Sequence, residues 1–196
     1  MCPADTLLRV ADEHGQVRDD KLDAQQAAQR RLALAQIRQY PDPVLRMTAR
    51  DVQVFDDDLR RLVERMKALM VDAHGVGLAA TQVGILQRLF VLRPEDEEAI
   101  AVVNPRIVEA SGETAVDDEG CLSLQGVLVP VERHLTVTLE GQDEHGAPVR
   151  YELEELPARV VQHELDHLDG RLIIDRTDAA SRREALATLR PQPLLG

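Results

Sequence analysis

His163-Glu164-Leu165-Asp166-His167 places two imidazoles four residues apart, with a carboxylate beside the first. On a helix that spacing puts both rings on one face, a turn apart, within reach of one metal ion. Glu164 is then placed to take a proton from a water at the ion. Two surface histidines on an amphipathic helix would give the same letters. The flanking Val160, Val161, Leu165 and Leu168 argue instead for a buried helix. A catalytic metal site usually has three protein ligands and one open position, so a third ligand is needed. Ile173 stands where one metalloprotease pattern carries its third histidine, and Glu184 is the only glutamate after the motif. Upstream, Glu119-Gly120-Cys121-Leu122-Ser123 offers the one cysteine inside the body of the chain. A thiolate with two imidazoles makes a three-ligand, borderline-soft site. Free cysteine is also commonly a small buried hydrophobe, so spacing alone leaves both readings open.

A third segment reads Gly75-Val76-Gly77-Leu78-Ala79-Ala80-Thr81-Gln82. Glycines two apart permit close backbone approach, as a tight helix-to-strand turn also would. It is no phosphate loop, because the third glycine and the lysine of such loops are missing. Gln82, polar among apolar neighbours, needs a partner if buried and could donate to an oxyanion.

The elements that must position these residues follow from pattern. Asp56, Asp57 and Asp58 favour a helix N-terminus, and Leu59, Leu62, Val63, Met66, Leu69, Met70 and Ala73 form one apolar stripe ending near Gly75. Short β-type runs follow between Arg88 and Glu154, including 89–92, 101–103 and 135–139, with a turn at Glu144-His145-Gly146. Pro157 can open a second helix that runs to about Leu168, with Gly170 just past its end. The layout is α+β: small antiparallel sheets around a central metal-binding helix. Residues 1–36 read as an extension, with Lys21 to Gln36 either a helix lying on the domain or a frayed arm; Tyr40-Pro41-Asp42-Pro43 ends any such helix. The catalytic domain is expected over 37–178 and a C-terminal helix and tail over 179–196.

Of 196 residues, 35 are acidic and 23 basic, a formal charge of −12. Non-specific binding to DNA or another polyanion is therefore disfavoured. No apolar h-region or membrane span is visible. Cys2 and Cys121 make no disulfide framework, so a reducing cytoplasm is the expected compartment.

Taken together, the three segments resemble the peptide deformylase family, whose signatures are G-x-G-L-A-A-x-Q, E-G-C-L-S and Q-H-E-x-D-H-x-x-G. Gly75 to Gln82, Glu119 to Ser123 and Gln162 to Gly170 match all three in order, and Ile37 to Arg46 is similar to the usual start of the catalytic domain. The resemblance implies a metal-dependent amide hydrolase that removes the formyl group from the N-terminal formylmethionine of new polypeptides and releases formate. It implies one divalent ion held by Cys121, His163 and His167, with Fe2+ expected and Zn2+, Ni2+ or Co2+ able to substitute. Glu164 would act as base, and the Gln82 amide and the Leu122 backbone N–H would hold the oxyanion. An extended peptide would pair along Val76, Gly77 and Gly120, its methionine entering an apolar pocket near Val76, Leu156 and Val160. The protein is expected to be a monomer that meets nascent chains with at most weak ribosome contact through Arg182, Arg183 and Arg190. Two departures stand out: Gln125 replaces a usual proline, and Leu128-Val129 falls where a basic residue is often found. A zinc endopeptidase using Glu184, or a specialised or non-catalytic relative, is the alternative.

Overall fold

A computed structural model describes residues 23–94 and 98–189. Asp23 caps the first helix, α1 (Ala24–Leu34), by accepting from the N–H groups of Gln25 and Gln26, and the Gln26 side chain returns a bond to Asp23 N–H. Ala33, Leu34 and Ile37 enter the core, while Gln29 Nε2 donates to Asp72 Oδ1 over 2.7 Å. Within Lys21 to Gln36, residues 24–34 are thus a helix laid against α2 (Asp57–Asp72) rather than a frayed arm, while the first part of the expected extension, 1–22, lies outside the described residues. A cis Tyr40–Pro41 bond and a short 3₁₀ turn at Pro43–Arg46 follow α1.

The α2 stripe behaves as its spacing predicts. Asp56 caps it by accepting from Asp58 and Leu59 N–H, and Leu59, Val63, Met66, Leu69 and Met70 are buried. Burying each such side chain contributes roughly 1.5–3 kcal/mol, several times any single propensity difference, so packing holds this helix in place.

Seven strands follow: β1 (Gly77–Ala79), β2 (Leu89–Leu92), β3 (Ile100–Ala110), β4 (Thr114–Gly120), β5 (Leu128–His134), β6 (Thr136–Gln142) and β7 (Pro148–Glu154). They form an antiparallel five-stranded sheet in the order β1-β2-β3-β6-β7 and a separate β4–β5 ribbon. Strand β3 is longer than the apolar run 101–103 because it continues past an irregularity at Asn104–Pro105. There the Asn104 side chain grips both backbone groups of Val52, accepting from its N–H and donating to its carbonyl.

Helix α3 (Glu155–Leu168) carries the two histidines and starts two residues before Pro157. It touches β1 and β2 at one end of the sheet, β6 and β7 at the other, and β5 of the ribbon. Ala158, Val160, Val161, Leu165 and Leu168 share a core with Phe90, Val102, Val137 and Leu139. Gln162 binds α3 to β5 by donating to His134 carbonyl and accepting from His134 N–H. The α+β architecture with a central helix agrees with the sequence expectation. Helix α4 (Ala179–Thr188) closes the described chain, with Ala185 buried in a third cluster beside Cys121 and Leu124.

The end of α3 fixes His167. Gly170 N–H donates to His167 carbonyl and Arg171 N–H to Asp166 carbonyl, the paired bonds of a Schellman stop. Gly170 has φ +73°, and a Cβ there would lie 2.6 Å from the Arg46 carbonyl oxygen. Gly170→Ala is therefore expected to lower unfolding stability by about 1–3 kcal/mol, measured as a shift in the urea midpoint at unchanged m-value.

Candidate metal centre

Each ligand candidate sits on a different kind of support. His163 and His167 lie one turn apart on α3, their ring centroids 5.0 Å apart. Cys121 follows the last residue of β4 and enters a turn in which Leu124 N–H donates to Cys121 carbonyl. The ligand atoms of Cys121, His163 and His167 all lie within 4.8 Å of one another, and Cys121 Sγ is 3.2 Å from His167 Nε2. Among the described residues this is the group of three that could hold a metal ion. Glu184, by contrast, is exposed on α4.

Behind the histidines is a buried ionic cluster. Glu119, on β4 two residues before Cys121, accepts four hydrogen bonds: two from Arg133, one from Arg159 and one from His163 Nδ1. Burial pushes its carboxyl up, but the bonds from His163 and Arg133 outweigh that and hold it far below the usual carboxylate range. An ionised carboxylate only accepts, so His163 carries its proton on Nδ1 and leaves Nε2 free for a ligand bond. Arg133 also donates to Asp166 over 2.6 Å, and Asp166 accepts from Arg176 as well. Burial works against a charged His163, yet its contacts with Cys121 and Glu119 raise its pKa well above the ordinary value. Burial, and then the charge of His163, drives His167 well below.

Glu164 faces the same space. Its Oε2 is buried with no hydrogen-bond partner, and burial raises its pKa to about 7. A buried carboxylate oxygen without a partner is costly. A cation with an adjacent water would supply the missing partner and charge, so the donor set and the orphaned oxygen both fit a divalent ion.

Gln82 reaches the group from a 3₁₀ turn at Ala80–Val83. Its Oε1 accepts from Ala79 N–H at 2.9 Å, so its amide nitrogen must point the other way, toward Ser123 Oγ at 3.1 Å and Cys121 Sγ at 3.7 Å. Leu122 stands between Cys121 and Ser123 in the turn. The glycines of the third segment serve close packing: a Cβ on Gly77 would strike the Glu164 carboxylate and lie 2.9 Å from Val160 Cγ1. One on Gly75 would lie 2.8 Å from Leu122 Cδ1. The three motifs therefore meet at one place. Val76, Leu156 and Val160 share one apolar cluster, with β1 beside them as an edge strand of the sheet. Gly120 ends β4, paired with Leu128.

These features coincide with an independent match. Residues 34–183 fit the family model for polypeptide deformylase. The chain belongs to the peptide deformylase family. It is 50% identical to a peptide deformylase of Thermotoga neapolitana over 146 residues, 74% of this chain and 88% of that one. A relative from a Parafrankia species is 42% identical over 159 residues, covering 81% and 87%. The solved peptide deformylase of Legionella pneumophila superimposes with a TM-score of 0.75 at 39% identity, over 78% of this chain and 91% of that one. That of Thermotoga maritima gives 0.70 at 48% identity, over 72% and 96%. Peptide deformylases are metal-dependent hydrolases, in keeping with the Cys121–His163–His167 group.

Sequence reasoning named every residue of this group but passed over its support. Arg133 is buried on the inward parity of β5 with Val129 and Val131, an alternation visible in the sequence. Glu119 and Cys121 are likewise two apart. Ser123 and Asp166 stand within the matched signatures but were given no role, and Arg159 carries no pattern at all, its partners lying on other elements.

Glu119→Gln leaves the shape but removes the charge facing Arg133 and His163. Its expected effect is a 10–100-fold loss of metal affinity, read by chelator competition. A carboxylate held low stabilises the fold above its unfolded value near 4.5 and loses that contribution as pH falls through the folded value. The variant is accordingly expected to show a flatter decline of stability in acid than the native chain.

Proposed function

We propose that the chain hydrolyses the formamide of N-formylmethionyl peptides at this centre, with Cys121, His163 and His167 as metal ligands and Glu164 as general base and acid. The convergence of three ligand atoms beside the unpartnered Glu164 oxygen carries this reading. The ion, proposed as Fe2+ with Zn2+, Ni2+ or Co2+ able to replace it, supplies Lewis acidity that activates water and attracts negative charge at the formyl oxygen.

The remaining work falls to the chain. Glu164, its pKa raised to about 7 by burial, is poised to accept the proton of the attacking water. As the C–N bond breaks, it returns that proton to the departing amine, and formate leaves. The Gln82 amide, aimed by Ala79 N–H, and the Leu122 backbone N–H donate to the oxyanion as it develops. The peptide adds as an extended strand along Val76–Gly77 on one side and Gly120 on the other, a mode that reads backbone and tolerates many sequences. Val76, Leu156 and Val160 receive the methionine side chain. We place the reaction in the cytoplasm and take the enzyme as a monomer. Among the described residues no helix is long and apolar enough to cross a membrane. Ribosome contact through the C-terminal segment would draw on Arg182, which also pairs with Asp175, and on Arg183; Arg190, the third arginine of that expectation, lies outside the described residues.

Anaerobically purified protein is expected to release formate from formyl-Met-Ala-Ser. Endopeptidase activity without formate would overturn the proposal. Glu164→Ala should retain a full complement of metal while kcat falls by about 10²–10⁴-fold, since base and ligand are separate residues.

The pH profile provides a second check. The base form of Glu164 is required, so kcat/KM rises with pH through its pKa. A bound dication favours the ionised carboxylate, so the acid limb is expected below the metal-free value of about 7. A rate that stays flat from pH 7 down to pH 4 would exclude Glu164 as the base.

A further inference from the structure

Beneath the sulfur ligand runs a hydrogen-bonded chain that begins at the surface. The peptide joining Leu122 to Ser123 is trans, so its carbonyl and its N–H point in opposite directions. The N–H, on Ser123, donates to Cys121 Sγ at 3.4 Å. The carbonyl, on Leu122, accepts from Gln39 Nε2 at 3.0 Å. Gln39 Nε2 also donates to the carbonyl of Ile37, two residues earlier, at 3.2 Å, and Gln39 Oε1 accepts from Gln125 Nε2 at 3.0 Å.

Every polar atom of the half-buried Gln39 amide therefore has a partner. Its orientation is also determined. Turned over, Gln39 would set its oxygen against two carbonyls and its nitrogen against the Gln125 donor. Holding the Leu122 carbonyl from behind aims the Ser123 N–H at sulfur, and successive bonds in such a chain polarise one another. Neighbouring backbone bonds brace the same segment: Arg38 N–H donates to Gln82 carbonyl at 2.7 Å, and Tyr40 N–H to Ser123 carbonyl at 2.9 Å.

We propose that Gln39, held in its donating orientation by Gln125, is a positioning residue for the Cys121 sulfur. It acts by aiming the Leu122–Ser123 peptide N–H at that ligand. The inference rests on the reading of Cys121 as a metal ligand. A donated hydrogen bond withdraws electron density from a thiolate and restrains its direction, so both ligand strength and geometry depend on the chain from Gln125 inward.

The test uses the full chain loaded with Co2+, whose thiolate-to-metal absorption band reports sulfur electron density. Gln39→Glu still accepts from Gln125 but cannot donate to Leu122. The expected result is a band shifted to lower energy, with cobalt lost to EDTA about tenfold faster. Gln125→Ala, at an exposed position, should move both readouts in the same direction by less. Gln36→Ala, just past the end of α1, where the exposed amide donates to Leu32 carbonyl, should move neither. A native protein with no thiolate band would overturn the ligand reading itself. A native band that Gln39→Glu leaves unmoved, with an unchanged rate of cobalt loss, would overturn only the present inference, even if the melting temperature fell. If Gln39→Glu does not fold, unmoved readouts in Gln125→Ala overturn it alone.

Discussion

A buried carboxylate on a strand end sets the terms for everything around it. Glu119 lies out of water, where an ionised group survives only if charge and hydrogen bonds surround it. Arg133 from β5, Arg159 and His163 from α3 all bring donors to it. Asp166, also buried, takes the remaining Arg133 nitrogen, Nη1, and recruits Arg176 from beyond the helix. The ribbon and α3 are thereby held in one register by directional bonds. An apolar interface of the same size can be as stable, but it carries no directional bonds to fix its register and cannot choose which nitrogen of His163 bears the proton. The cluster is better understood as specifying position than as adding stability.

That register is what allows three separated stretches of chain to converge. The glycine segment is stopped against Glu164 and Val160 on one side and Leu122 on the other, at distances no side chain would permit. The cysteine turn is tied to the Gln82 turn through Ser123, and to the residues after α1 through Gln39 and Tyr40. Small residues in one motif thus exist because bulky or charged ones occupy the next. The motifs form one steric and electrostatic unit.

Much of this could be read in advance because it is local. The α2 stripe, the α3 helix with its two histidines and the Gly170 stop are periodic or positional signals, and the structure has all of them. Spacing made Cys121 legible only as a candidate ligand, since nothing in the letters around it says that a strand end will face a helix turn forty residues later. Strand β1 was harder still. Three residues with two glycines nearby carry no alternation, and Gly77–Ala79 is a strand only because Leu92, Val91 and Phe90 pair with it. The extension of β3 past Asn104 depends on a side chain gripping Val52, which no pattern in either segment announces. Local periodicity reveals elements; contacts between distant elements decide their ends and partners.

The charge distribution gains meaning from the same contacts. A formal −12 sums the whole chain, yet the buried carboxylates at its centre are met by arginines. Arg133 is almost fully buried, Arg159 and Arg176 reach carboxylates, and Arg46 and Arg182 both bind Asp175. Basic residues near the C-terminus that look in sequence like a docking face are in part spent on the protein's own acids. Gln125 carries the point further. At a position where resemblance leads one to expect proline, a rigid ring would restrain the backbone alone. Glutamine instead sends a side-chain donor to Gln39, and so to the peptide behind the sulfur. Stiffness can come from a covalent ring or from a hydrogen-bonded relay, and only the relay can also alter the electron density of the ligand it reaches.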